Sequence, residues 1–448
     1  MRLSPLRYVL FLVSCTMCIL VSAKLQMQLV NAHSDIRPLY YGARTLIQGS
    51  DPYLPQQVFQ AFQAEKTDSV PGFLSLRDQE TRVVYPPCAL LLAVPLALLP
   101  WSLAHVAWVI LITVSLVFAA YAMLIRGSQI APSLSLFLVC VLIANCEAGL
   151  IAGNPAAVSV GFCVIAVWFL LEDRLAWAGV LLFAVSLCIK PHNAGWIWLY
   201  FFAAGGYLRK RALQTLSIAA GLSLPSLLWV HAVAPNWLQE WRANLSSLAV
   251  RGGLNDPGPS AWINGSLFPI IDLRGIFAMF RDDPSFYSVA SYLVCGVLLA
   301  IFIWTTLKSR CAARHAWLAL AAVVPLTILA TYHRPYDAKL LLLTIPACGL
   351  LWRRRGVLGW TALCITSSAI FLTADLLLLL FNVGVRREAP TGAGWLETLL
   401  TVPLSRPIPL VLLAMSVFYL SVYLKEVRSE SISVQEKLED PLFAAIGE

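Results

Sequence analysis

The chain is a succession of apolar runs separated by short polar interruptions. Uncharged stretches recur from Tyr8 to Tyr423, many of them near the ~20 residues that a helix needs to cross a bilayer. Spans are predicted at about 8–30, 102–125, 131–151, 154–171, 175–189, 192–207, 212–233, 286–307, 316–332, 338–352, 357–382 and 405–424. Only helices and closed barrels satisfy their backbone in lipid, and these runs are too long and too unalternating for barrel strands. The expected fold class is therefore all-α, a polytopic transmembrane helical bundle of about twelve spans.

The segment 88–99 breaks the pattern. It is apolar but short, bounded by Pro86, Pro87 and Pro100, with Pro95 inside it. If it crosses, everything downstream inverts. If it dips in and returns, Arg126, Arg174, Arg209-Lys210-Arg211, Lys308, Arg310, Arg314 and Arg353-Arg354-Arg355 share one side, and only Arg386-Arg387 opposes the trend. Short-loop basic residues mark the cytoplasmic side, which selects the re-entrant version with both termini cytoplasmic. One membrane domain over 1–424 is then followed by a polar cytoplasmic tail, 425–448, and loops 31–84 and 234–285 lie outside the cytoplasm.

Composition supports this reading. The chain is 59% hydrophobic and 12% charged, with a mean hydropathy of +0.75, against roughly 25% charged residues in soluble domains. The net charge of +8 is scattered in ones to threes over short loops, so it sets orientation and predicts no nucleic-acid partner. Cysteines such as Cys140, Cys163, Cys295 and Cys364 sit in apolar runs as small hydrophobes, and Cys15 and Cys18 lie within the first span. Leu12-Val13-Ser14-Cys15 resembles a lipoprotein box. The apolar stretch continues to about Val30, however, which favours an uncleaved signal-anchor.

On this topology the polar residues gather on the outer face. Asp35 follows the first span directly, where a carboxylate can serve as general base toward a hydroxyl or can cap the next helix and pair with Arg37. Lys190-Pro191-His192 marks a helix boundary; Lys190 either snorkels to headgroups or meets a lipid phosphate. The turn Tyr332-His333-Arg334-Pro335-Tyr336-Asp337-Ala338-Lys339 concentrates chemistry. Arg334 and Lys339 suit a phosphate, and His333 and Asp337 suit sugar hydroxyls or proton transfer. The loop Arg251–Pro259 is a lid or a connector, and Asp375, placed inside the 357–382 span, is either functional or bonded to a neighbouring helix. No zinc spacing, Ser/His/Asp order or nucleotide module is present.

Taken in order, Asp35, Tyr40-Tyr41, Ala43-Arg44, Gly49-Ser50-Asp51-Pro52-Tyr53 and Tyr85-Pro86-Pro87 with Cys88–Leu99 and Pro100 resemble glycosyltransferase family 87 of the GT-C superfamily. Gly153-Asn154 and Ala178-Gly179 through Lys190-Pro191 extend the resemblance, which runs from about Asp35 to Cys348. The family includes polyprenyl-phosphate-mannose-dependent mannosyltransferases. The resemblance implies a GT-C-type fold at the plasma membrane, as in a bacterial inner membrane, with the active site facing away from the cytoplasm. It implies inverting transfer of a hexose such as mannose from a polyprenyl-phosphate donor to a glycan or glycolipid acceptor. Asp35 would be the base and His333 a second catalytic residue. Lys190, His192, Asn154, Arg334, Asp337, Lys339 and Tyr85 would bind substrate, with no metal or other cofactor. This chain departs from the family in having Gly153-Asn154 where Gly-Gln is frequent, and its late loop matches only around the histidine. A transporter or flippase for a lipid-linked sugar is the alternative, although no internal repeat of the transporter kind is visible.

Overall fold

The computed structural model describes residues 4–28, 35–64, 81–253, 255–258, 269–309, 312–378 and 395–439. Every regular element among them is helical. Six helices are long and apolar enough to cross a membrane, and five further apolar helices span 10–17 residues. Of the twelve expected spans, some appear among the described residues as long helices and others as shorter ones. The run 131–151 splits into α6 (Pro132–Ile143) and α7 (Glu147–Ala152), and 338–352 splits into a 3₁₀ segment (Asp337–Thr344) and α16 (Ile345–Arg353).

The order before the first long return explains the awkward segment. α1 (Pro5–Gln28) is followed by α2 (Arg37–Ile47), α3 (Pro55–Ala64), α4 (Pro87–Ala97) and α5 (Trp101–Ser128). Beyond α4, the Tyr40 hydroxyl of α2 donates to the carbonyl of Leu99 (2.6 Å), and Trp101 packs on Tyr40 and Tyr41. At its start, α4 presses so closely on α2 that a Cβ on Gly42 would lie 2.8 Å from Val83 and 3.1 Å from Leu90. Both ends of α4 therefore lie against α2. Its 11 residues cover about 16 Å, well short of a bilayer core.

The centre of the bundle is built from helices apolar on every side, the pattern of an element surrounded by protein. All fifteen residues of α15 (Ala316–Ala330) are buried, as are nearly all of α8 (Pro155–Leu171). α9 (Ala176–Ile189) and α10 (Pro191–Ala203) pack against α8. At the periphery, α11 (Gly206–Val233) and α14 (Pro284–Lys308) turn Leu224, Leu228, Leu293, Val297 and Trp304 outward. Such rows suit contact with lipid tails. α12 (Trp237–Leu248) and α13 (Arg274–Phe280) lie within the expected 234–285 loop.

The helices run between two polar ends. At one end, Arg126 pairs with Glu172 (3.3 Å) and lies over Trp317, Arg211 reaches Asp173 (4.0 Å), Arg314 pairs with Glu430 (2.5 Å) and Arg354 pairs with Glu426. Those last two acids lie in the first part of the expected tail. The final helix, α19 (Pro407–Glu439), follows α18 (Trp395–Ser405) and continues past Lys425, where its Glu residues bind the basic ends of neighbouring helices. α17 (Gly356–Leu372) likewise ends earlier than expected. Asp375 begins a separate helical stretch after a break at Thr373-Ala374 and is not within a continuous span.

Candidate active site

At the opposite end, three segments far apart in sequence meet at Asp35. The main-chain N–H of Asp35 donates to the carbonyl of Ala152 (3.1 Å), the last residue of α7. Gly153 then takes a left-handed conformation, with φ 63°, which favours glycine. Trp108 fixes that turn by donating to the Gly153 carbonyl (2.8 Å). The turn delivers Asn154 as the N-cap of α8, with Pro155 in the first turn, a pairing suited to helix starts. The Asn154 amide donates to Asp35 Oδ2 (2.7 Å) and to the Tyr336 hydroxyl (3.0 Å). Asp35 itself does not cap α2: Ile36 holds the cap position, and no side chain caps it.

Tyr85 completes this layer by donating to the Asp35 carbonyl (3.3 Å). Burial, followed by the nearby Asp35 charge, pushes the Tyr85 phenol well above its ordinary range, so it remains a donor. From the other side, Arg334 Nε donates to the Tyr332 hydroxyl (2.5 Å), and that hydroxyl lies 3.5 Å from the hydroxyl of Tyr336. Arg334 lies over the Tyr332 ring and is within electrostatic range of Asp35.

A second layer centres on Asp337. Its Oδ1 accepts from Lys190 Nζ (2.7 Å) and Asn193 Nδ2 (2.9 Å), and its Oδ2 accepts from the Arg334 N–H (3.0 Å). Lys190 occupies the joint between α9 and α10, as Pro191 leads one to expect. Its ammonium lies 5.9 and 5.3 Å from the ring centroids of Tyr332 and Tyr336. His333 is fully buried and bridges Thr331 O (2.8 Å) and Asn193 Oδ1 (3.0 Å). Burial holds its imidazole below the usual range against the raising pull of Asp337. His333, expected as a catalytic group, thus turns both ring nitrogens toward oxygen acceptors of the protein, and the neutral ring donates to one of them at a time. His192 packs edge-on against it at 5.0 Å, and its Nε2 is buried with no hydrogen-bond partner among the described residues.

Lys339 is placed elsewhere. It donates to Thr373 O (3.1 Å) and Asp375 Oδ1 (2.9 Å), and Asp375 Oδ2 accepts from the Ala148 N–H (2.7 Å). Three per cent exposed, Lys339 closes the break after α17 and does not join Lys190 and Arg334 at one point. The glycine-rich loop is also tied down. Asp256 accepts from the N–H groups of Gly252 (2.6 Å) and Gly258 (2.8 Å), and Arg251 pairs with Asp282. Residues 254 and 259–268, the rest of that loop, lie outside the described residues, as do 31–34, 65–80 and Arg386-Arg387.

Sequence reading missed several members of this assembly. Asn193 lies one turn beyond Lys190 in an otherwise apolar, aromatic helix, and that spacing could have drawn attention to it. α12 braces the site through Trp241, which donates to Val84 O (2.9 Å), and Asn244, which donates to Tyr53 O (2.9 Å) and Val83 O (3.1 Å). Beside them, burial and a hydrogen bond to Asp51 push the Glu240 carboxyl up to about 7. Nothing local in the sequence pairs these segments.

The site therefore combines two carboxylates, three tyrosines and two cations at one polar end of an apolar bundle. No curated protein and no solved structure matches the chain. The family model for glycosyltransferase family 87 matches residues 84–331, which include Tyr85, Asn154, Lys190 and Asn193, whereas Asp35 and the 332–339 turn lie outside the matched range. With more than half its length matched, the chain belongs to glycosyltransferase family 87 and is a membrane glycosyltransferase.

Proposed function

We propose that the protein transfers a hexose, mannose in the first instance, from a polyprenyl-phosphate donor to a hydroxyl of a glycan or glycolipid acceptor, with inversion. Asp35 is the general base. It takes the proton of the acceptor hydroxyl as that oxygen attacks the anomeric carbon from the face opposite the phosphate. The bond from the anomeric carbon to the phosphate oxygen breaks, and polyprenyl phosphate leaves. Arg334 and Lys190, on the faces of the Tyr332–Tyr336 pair, offset the charge that builds on the leaving phosphate, a preorganised electrostatic contribution. His192, with its unpartnered Nε2, supplies a contact for the sugar. Lys339 has no part in donor binding on this reading.

The observation that carries the proposal is the meeting of Asp35, Asn154 and Tyr336 by direct hydrogen bonds, with Arg334 within electrostatic range. It gives a carboxylate a fixed place beside cations at the end of a bundle that lipid can surround. Basic residues collect at the other end, and positive charge marks the cytoplasmic side. The site therefore faces away from the cytoplasm, at the plasma membrane.

Purified protein incubated with a panel of labelled polyprenyl-phosphate sugars tests this reading. Transfer of label to an added glycan acceptor is expected. Movement of the labelled lipid across the bilayer without transfer would replace the enzyme with a carrier.

A further inference from the structure

Asn154 was expected to touch substrate, but its hydrogen bonds assign it another task. Its Oδ1 accepts from the Ala156 N–H at 2.8 Å. A backbone N–H can only donate, so this bond fixes which way the amide faces. The NH₂ group is thereby directed at Asp35 Oδ2 (2.7 Å) and the Tyr336 hydroxyl (3.0 Å). An amide NH₂ has two hydrogens, and both are used within the protein. Asn154 is 8% exposed, and its turn is held by Gly153 and Trp108.

We propose that Asn154 is the positioning residue for the Asp35 carboxylate, holding it toward the acceptor by a charge-assisted bond whose direction is set by the α8 cap. This inference rests on Asp35 being the base. The α8 helix and the base are then mechanically one unit. Asp35 is held by its main chain to the end of α7 and by its side chain to the start of α8. Tyr336 receives the second hydrogen of the same amide, so the late turn carrying Arg334 and Lys190's partner Asp337 is set in register with the base. Donation to the ionised carboxylate stabilises that form and restricts its rotation, as a supporting contact should.

Two substitutions separate this role from helix capping, because Ser and Asp both cap about as well as Asn. Asn154→Ser keeps the cap but is too short to bridge to Asp35. Asn154→Asp keeps the cap and replaces the donor with a second carboxyl group. Both are made in the full-length protein. The Asp35 carboxylate stretching band is followed by difference infrared spectroscopy against Asp35→Asn, a readout that needs no substrate. Thermal midpoints near that of the parent are expected in Asn154→Ser. The Asp35 carboxylate band should shift in both Asn154→Ser and Asn154→Asp, because each removes the amide donor. With a labelled polyprenyl-phosphate mannose and a synthetic mannoside as probes, kcat should fall about ten- to a hundredfold with little change in donor KM.

An Asp35 carboxylate band in Asn154→Ser that coincides with the parent's would overturn the inference. Asp35→Asn in the same assay isolates the premise. If Asp35→Asn is active, the base assignment fails. If it is inactive while Asn154→Ser transfers normally, only the positioning role fails.

Discussion

Two buried lysine–aspartate pairs flank the start of the 3₁₀ segment, and their surroundings give them opposite characters. Asp337 and Asp375 are both fully buried, and their lysines approach to 2.7 and 2.9 Å. Asp337 also receives donors from Asn193 and the Arg334 backbone, and its lysine lies beside the tyrosines that lead to Asp35. Among the described residues Asp375 receives one further donor, the Ala148 N–H, and its lysine is also bonded to the Thr373 carbonyl of a broken helix. One pair borders the proposed site; the other ties three helix ends together. A lysine in an apolar bundle is thus assigned by what its partner also holds, because burying a charge is costly wherever it occurs.

The comparison is broken or sharpened by removing each lysine in turn. Lys339→Met strands Asp375, and loss of one member of a buried pair costs about 3–5 kcal/mol. Its thermal midpoint in detergent should fall furthest of all the variants, and Lys339→Met combined with Asp375→Leu should recover much of the loss. Lys190→Met leaves Asp337 with two donors, so it should lose less stability. Its effect belongs in the transfer assay: a hydrogen bond to a charged group contributes about 1.5–3 kcal/mol, and donor KM should rise roughly ten- to a hundredfold. A Lys190 variant less stable than the Lys339 variant would erase the distinction.

The smallest effect concerns the brace behind the site. Burial and the hydrogen bond from Glu240 to Asp51 raise this carboxyl from 4.5 to about 7. The folded state then binds the proton more tightly than the unfolded chain, so this stabilisation is complete below about pH 4.5 and is lost as pH rises through about 7. Glu240→Gln should flatten that part of the decline in thermal midpoint. A parent and variant with parallel pH–stability curves would show that the Asp51–Glu240 contact contributes nothing to the brace.

Much of the site was legible because polarity is conspicuous in an apolar chain. Asp35, Asn154, Lys190 and the late turn stand at helix boundaries marked by Pro155, Pro191 and Pro335, and the structure draws them together. Lys339 was misplaced for a geometric reason. Grouping it with Arg334 treats neighbours in sequence as neighbours in space, but the start of the 3₁₀ segment lies between them and Lys339 turns to Asp375. The break before Asp375 was hidden for a tertiary reason, since the freed Thr373 carbonyl is satisfied by Lys339 from another segment. Hydropathy registers apolar length and is blind to whether lipid or protein covers a helix. α8 and α15 are apolar because they are surrounded by other helices.

The base assignment is tested most directly by single-turnover transfer with Asp35→Asn. The substitution keeps the size and most hydrogen bonding of the side chain while removing proton acceptance. General-base catalysis contributes about 10²–10⁴-fold. The variant should therefore fold, bind labelled polyprenyl-phosphate sugar as the parent does, and transfer it at least about a hundredfold more slowly. A folded Asp35→Asn protein with near-parental turnover would contradict the account and move the catalytic role to another residue, with Asp337 the first to test.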